Sequence, residues 1–244
     1  MDDQYGKRAL DFVEALRRCT DAPAICDLLV AELAAFGFTY VTDWTLPGPG
    51  ESPGKGVLLN TRPADYVEHY VEHNLVVRDP VMTELRHTVD PFSWSDVRSR
   101  RPLTQSLLRI MDEATDFGSR EGFVVPILTR SGSIAIVSAC GPEPDLTPRA
   151  RAALEMICIY AHEALKRTLA RADRADTAQT PLTGREREIM RWVAAGKSDD
   201  EIGDILSISA ATVTKHVENA KVKLGAYRRT YAVVRAIRSG EIQI

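Results

Sequence analysis

Apolar residues along this chain recur mostly every three or four positions, broken by a few short runs of strand-like composition. The pattern predicts helices framing a small sheet. Residues 5–19 place Leu10, Val13 and Leu16 on one helical stripe with Phe12 alongside. Pro23, at a first-turn position, opens a second helix through Ile25, Leu28, Leu29 and Leu33 to Gly37. FTYVTDWTL (38–46) and GVLLNT (56–61) read as strands on either side of the loop PGPGESPGKG (47–56). A helix from about Pro63 to Asn74 follows, then a shorter one from Asp79-Pro80 through Leu85. PFSWSDV (91–97) reads as extended and Leu103 to Asp116 as helical, and residues 122–140 form a two-stranded hairpin about a Ser-Gly turn. Thr147 and Pro148 start a long helix to about Arg171, with Leu154, Ile157, Cys158, Ala161 and Leu165 as its apolar stripe. Two helices, five short strands with helices between them, and a closing helix make an α-β-α sandwich on an antiparallel sheet.

From residue 181 onward only helical periodicity remains. Thr183 with Glu186 and Ser198 with Glu201 have the spacing of capping boxes, and Ser209 opens a third helix. Gly196 and Gly225 stand where helices stop. Ile189, Trp192 and Val193 share a face in the first of these helices; Ile202, Ile205 and Leu206 do so in the second; Val213, Val217, Ala220 and Leu224 do so in the third. A fourth helix, about Arg229 to Arg238, is expected to point Tyr231, Val234 and Ile237 inward. The fold class is therefore α+β, an α-β-α sandwich followed by a C-terminal all-α four-helix domain containing a helix-turn-helix. The boundaries are residues 1–169 for the first domain, 170–180 (ARADRADTAQT, without apolar anchors) for a linker, and 181–244 for the second.

Composition narrows the function. The chain of 244 residues carries net charge −3, but residues 181–244 hold 11 Lys and Arg against 8 Asp and Glu, leaving an acidic first domain. A weakly basic tail on an acidic partner fits nucleic-acid binding by the tail. No apolar run approaches the roughly 20 residues needed to span a membrane, and MDDQYGKRAL reads as an acidic helix start rather than a signal sequence. Four scattered cysteines, without metal-ligand spacing, fit buried thiols in a reducing, cytoplasmic setting. His69 and His73, four apart on one helix face, lack a third ligand and read as surface histidines, so no metal is expected. PGPGESPGKG lacks the glycine and the Ser or Thr that a phosphate-binding loop requires, and reads as a connection. No catalytic residue stands out.

The stretch 198–226 reads as two short helices joined by a tight turn, and the outward face of the second carries Thr212, Thr214, Lys215, Glu218, Asn219, Lys221 and Lys223. These types suit phosphates and base edges in a DNA major groove, whereas in isolation they would pass for a solvated helix face. With L-T-x-R-E (182–186), T-V-x-x-H (212–216) and K-L-G-A (223–226) in register, the segment resembles the LuxR-type helix-turn-helix. Glu218 departs from the family pattern, which often has a cation there.

Upstream, NTRPADYVEHYVEHNLVVRDP followed by F-S-W resembles the signal-binding core of LuxR-type quorum-sensing receptors, which bind N-acyl-homoserine lactones. The family's aromatic pair falls on Tyr66 and Tyr70, its Asp-Pro on Asp79 and Pro80, its tryptophan on Trp94, and a glycine on Gly122. Taken singly, Asp79 reads as a helix N-cap and Trp94 as a core residue in a strand; their shared register turns them into a binding constellation. The resemblance implies that residue 66 donates to the lactone carbonyl, that Ser138 reaches the amide carbonyl, that Trp94 packs on the lactone ring and that Tyr70 walls the amide end. An ionised Asp79 is an acceptor for the amide N–H. Tyr66 replaces a tryptophan common in the family, and Arg62 replaces a tyrosine, facing either a polar or aromatic acyl group or solvent.

The expected protein is thus not an enzyme. It is a ligand-responsive transcriptional regulator of quorum sensing that needs no cofactor and binds an N-acyl or aroyl homoserine lactone. Its other partners are double-stranded DNA, at a pseudo-palindromic site, and a second copy of itself in a homodimer, with RNA polymerase a further candidate. The alternatives are a ligand-independent or different-ligand regulator of the same type and, behind it, a lactone-processing enzyme. A phosphorylation-controlled regulator would need the acidic cluster, strand-borne Asp and later Lys of a receiver domain, which the sequence lacks.

Overall fold

The computed structural model describes residues 4–47, 53–129, 132–176 and 181–243, which form two compact units. The expected loop 47–56, the Ser-Gly turn, the segment 170–180 and the N-terminal MDDQYGKRAL lie partly outside the described residues.

The first unit is built on one antiparallel sheet in the order β2-β1-β5-β4-β3. The strands are β1 (Tyr40–Thr45), β2 (Val57–Asn60), β3 (Phe92–Ser93), β4 (Glu121–Leu128) and β5 (Ile134–Gly141). In a strand successive side chains face opposite sides, and β5 shows the consequence. Ala135, Val137 and Ala139 join a core with helices α1 (Gln4–Leu16), α2 (Ala22–Ala34) and α7 (Pro148–Asp176). Ile136, Ser138 and Cys140 face the other way, towards α3 (Ala64–Glu72), α4 (Pro80–Glu84), α5 (Trp94–Arg100) and α6 (Gln105–Asp116). Register fixes the cross-sheet neighbours: Ser138 lies opposite Thr42 on β1 and Val124 on β4, and Gly122 lies opposite Cys140.

The predicted stripe of α7 is fully buried, with Leu154, Ile157 and Leu165 each at 1% exposure or less. Each such side chain contributes about 1.5–3 kcal/mol. Within that core His162 of α7 meets Asp43 of β1, Nδ1 to Oδ1 at 2.8 Å, both side chains fully buried. This pair sits on the sheet face opposite Thr42 and Trp44.

Three sequence expectations need correction here. Residues 94–97 are not extended: β3 ends at Ser93, whose side chain and Asp96 form a capping box that opens α5, so Trp94 is the first helical residue. In α1 the buried stripe is Ala9, Phe12 and Leu16, while Leu10 is 61% exposed. The helix α7 runs to Asp176, five residues past its expected end, because A-R-A-D-R-A-D contains strong helix formers and no glycine or proline even though it lacks apolar anchors.

The second unit packs α8 (Gly184–Ala194), α9 (Asp199–Leu206), α10 (Ala210–Lys223) and α11 (Arg229–Arg238) around Ile189, Met190, Ile202, Val213, Val217 and Ala220. Both predicted capping boxes are formed, Thr183 with Glu186 and Ser198 with Glu201, and the Ser209 hydroxyl accepts from Thr212 N at 3.1 Å. Between α9 and α10 the chain turns through Ser207 in the left-handed conformation. A side chain on Gly203 would come within 2.7 Å of the Ile208 carbonyl oxygen, so the tightness of that turn depends on a glycine one turn back. In α11 the inward face is Ala232 and Ala236, with Val233 and Ile237 beside them, and Tyr231 and Val234 are exposed, contrary to expectation. The small residues allow close packing, which rotates the larger ones outward. Ile205, expected inside, is also on the surface at 43%. Among the described residues no helix is long and apolar enough to cross a membrane.

Candidate functional site

Helix α3 lies over the sheet and projects Tyr66, Val67, Tyr70 and Val71, spaced three and four apart, onto one side of a cavity of about 310 Å³. The sheet floor is Thr42 and Trp44 of β1 with Ile136 and Ser138 of β5. All six residues singled out from the sequence, Arg62, Tyr66, Tyr70, Asp79, Trp94 and Ser138, line this one cavity. Thr42, Trp44, Ile136, Val67 and Val71 were not picked out, although their signal is visible: 42 and 44 alternate on β1, 136 stands two before 138 on β5, and 67/71 accompany 66/70 on the helix.

Asp79 holds both of the roles the sequence offered. Its Oδ1 accepts from Val81 N at 2.8 Å as the N-cap of α4, and its Oδ2 accepts from the Tyr70 hydroxyl at 2.6 Å. Burial pushes its carboxyl above the usual carboxylate range, and the bonds from Tyr70 and Val81 together with the field of Arg62 only partly offset this. Burial, followed by the neighbouring Asp79 charge, raises the Tyr70 phenol. Tyr66 is fixed on three sides, edge-on to Phe117 at 5.0 Å, tilted against Tyr70 at 5.9 Å, and under the Arg62 guanidinium at 5.1 Å. Arg62 therefore turns into the cavity.

Trp94 is buried, and its Nε1 has no hydrogen-bond partner among the described residues. Its indole lies flush against Gly122, where any Cβ would overlap the ring atoms Cε2 and Nε1. The glycine at 122 is thus what allows the tryptophan to stand at the cavity wall. His69 contacts Glu113 at 3.2 Å and stacks on His73, and among the described residues no group of three ligating side chains could hold a metal.

In the second unit the outward face of α10 divides. Thr212, Lys215, Glu218 and Asn219 are exposed, and Lys215 and Asn219 make no side-chain hydrogen bond among the described residues. Thr214 is exposed but donates to Asp199 Oδ2 at 2.5 Å. Lys221 forks both Glu218 oxygens at 2.8 Å, so the unusual acid on this face is accompanied by its own cation. Lys223 turns inward to Glu186 Oε2 at 2.8 Å; that carboxylate is 3% exposed and also closes the α8 capping box. The expected row of seven contacts is therefore a polar face centred on Lys215 and Asn219, with Lys223 occupied in joining α10 to α8.

Residues 21–165 match the autoinducer binding domain family, and residues 180–236 match the bacterial regulatory proteins of the luxR family. The transcriptional activator protein BjaR1 of Bradyrhizobium diazoefficiens is 38% identical over 96% of this chain and 96% of its own. The HTH-type quorum sensing-dependent transcriptional regulator RpaR of Rhodopseudomonas palustris is 38% identical over 100% of this chain and 98% of its own. Among solved structures, Escherichia coli SdiA has the same fold, with a TM-score of 0.80 at 21% identity over 99% of this chain and 100% of SdiA. The cavity with its Asp79 and Trp94 lies in the first matched segment and the polar face of α10 in the second, and the chain belongs to the LuxR-type quorum-sensing transcriptional regulators, with an autoinducer-binding domain ahead of a DNA-binding one.

Proposed function

We propose that the signal is an N-acyl or aroyl homoserine lactone held in the cavity between α3 and the sheet, and that the chain responds to it as a homodimer on a pseudo-palindromic DNA site. The observation that carries this reading is the gathering of Asp79, Tyr66, Trp94 and Ser138 in one largely apolar cavity. Such a lactone is apolar apart from one amide N–H, an amide carbonyl and a lactone carbonyl. Each of these costs roughly 1–3 kcal/mol if buried without a partner. Asp79, already accepting from Tyr70 and Val81, keeps lone-pair capacity for the N–H. The Tyr66 hydroxyl serves the lactone carbonyl and Ser138 the amide carbonyl, Trp94 covers the lactone ring, and Tyr70 holds Asp79 in place.

On the DNA side, Lys215 and Asn219 are the side chains best placed to reach phosphates or base edges, with Thr212, Thr214 and the Glu218–Lys221 pair flanking them. A homodimer follows from groove geometry, because two recognition helices must enter successive major grooves about 34 Å apart. RNA polymerase remains a candidate partner of the bound dimer. The deciding experiment is mass spectrometry of small molecules that copurify with the full-length chain produced in the presence of a mixture of lactones. A lactone retained in about equimolar amount supports the reading. Its absence from protein that still binds DNA favours the ligand-independent alternative.

A further inference from the structure

A hydroxyl carries one proton and two lone pairs, so it can serve DNA as donor or as acceptor, and a neighbour that takes the proton decides which. On α10 the fold makes that decision at Thr214. Its hydroxyl lies 2.5 Å from Asp199 Oδ2, at the start of α9, and 3.1 Å from the carbonyl oxygen of Ala210, one turn back on its own helix. Both neighbours are acceptors, so whichever holds the proton, none is left for a third group.

Asp199 is itself held from another side. The Arg229 guanidinium donates to Asp199 Oδ1 and, at 2.9 Å, to the Lys197 carbonyl oxygen, so α9, α10 and the start of α11 meet on one carboxylate. Burial works against its charge, but the bonds from Thr214 and Arg229 outweigh burial and keep the carboxyl below the usual carboxylate range. An ionised carboxylate has no proton to give back. Thr214 remains exposed, so its acceptor capacity is open to a ligand.

The consequence for DNA rests on the reading above that the outward face of α10 meets it. Phosphate oxygens, guanine N7 and O6, adenine N7 and thymine O4 are all acceptors, and none of them can bond a hydroxyl whose proton is spent. The donors that the major groove offers are the amino groups on adenine N6 and cytosine N4.

We propose that Thr214 is a specificity-determining residue that acts only as an acceptor, bonding the amino group of an adenine or cytosine in the major groove, and that Asp199 is the positioning residue that fixes it so.

The test is selection of bound sequences by the full-length chain, produced in the presence of the lactone mixture. The probe is duplex DNA randomised over about 20 base pairs, enough for two half-sites one helical turn apart. The wild-type chain should prefer adenine or cytosine by about fivefold at one position of one strand in each half-site, equivalent to about 1 kcal/mol. Thr214→Val, which keeps shape and methyl group but removes the hydroxyl, should lose that preference and leave the rest of the motif unchanged, whereas Thr214→Ser should retain it. Asp199→Asn, whose amide can donate to Thr214 and release its proton, should relax the same position, and adding it to Thr214→Val should change nothing further there. Affinity lost equally for all sequences in Thr214→Val makes the hydroxyl a phosphate contact and overturns the proposal. A preference for guanine or thymine at the affected position, or a motif unaltered in Thr214→Val, overturns it too. In that last case altered binding in Lys215→Ala or Asn219→Ala leaves the reading of the α10 face intact, and unaltered binding in both removes that reading as well. A wild-type chain that enriches no sequence overturns both.

Discussion

At the scale of single residues, Asp79 and Gly122 show how one position serves both the fold and the cavity. Asp79 caps α4 and faces the cavity, so removing it outright would confound the two roles. Asn caps about as well as Asp, so Asp79→Asn separates them. The variant should keep a melting temperature close to that of the parent, while the lactone concentration for half-maximal response rises about tenfold or more, as expected for loss of a charge-assisted bond of about 1.5–3 kcal/mol. An unchanged dose response would remove Asp79 from ligand contact. Gly122→Ala tests the opposite wall. Its Cβ must displace the Trp94 indole, which should lower stability by about 1–3 kcal/mol and weaken ligand binding together; denaturant unfolding of the full chain and a binding titration check both. Residue types at fixed spacing were legible in the sequence, since Arg62, Tyr66, Tyr70, Asp79, Trp94 and Ser138 all reached the cavity. Orientation was not. Arg62 was balanced between ligand and solvent, and only the structure puts its guanidinium over the Tyr66 ring at the cavity wall.

At the scale of elements, long helices with explicit starts were read well and short or sparsely apolar ones were not. Thr183–Glu186 and Ser198–Glu201 announced α8 and α9 because a cap and a glutamate satisfy each other's backbone donors. The same logic, with an aspartate in place of the glutamate, is written in Ser93 and Asp96. There the seven residues of α5 are too few for a period, and the aromatic run ahead of it resembled a strand. In α11 the larger apolar residues suggested the wrong face, because packing of alanines rather than hydrophobic bulk sets its rotation. The lysines of α10 were likewise indistinguishable by spacing, yet their surroundings predict opposite phenotypes. Lys215→Ala should leave stability unchanged, weaken DNA binding, and reduce the slope of log affinity against log salt by about 1 if the residue meets a phosphate. Lys223→Met should instead lower the unfolding free energy by about 1–3 kcal/mol, because it strands the buried Glu186 carboxylate. Equal losses of stability in the two variants would contradict this division of labour.

At the scale of the whole molecule, Asp79 responds to acid with the opposite sign from the paired carboxylates, which include Glu84, Asp96 and Asp145 in its own unit as well as those of the DNA-binding unit. In the DNA-binding unit the bonds from Lys223 and Thr183 outweigh burial and hold Glu186 below the usual carboxylate range. Thr214 and Arg229 do the same for Asp199. The Ser198 amide, with Lys197, lowers Glu201 to about 2. A group whose folded pKa is depressed gives stability that is present above its unfolded pKa and lost as pH falls through the folded one. These three therefore begin to weaken the fold only below about pH 4.5, and Glu201 completes its loss near pH 2. Asp79 behaves in the opposite way, since burial raises its folded pKa. On acidification it takes up its proton earlier in the folded chain than in the unfolded one, which favours the folded state. That same proton removes the charged acceptor from the ligand N–H. Signal binding should consequently fail at a higher pH than folding does. Lactone affinity of the full-length protein, measured stepwise from pH 7 to pH 4.5 beside its melting temperature, should fall while the melting temperature still holds. An affinity that stays constant until the protein unfolds would show that the charge on Asp79 does not contribute to holding the signal.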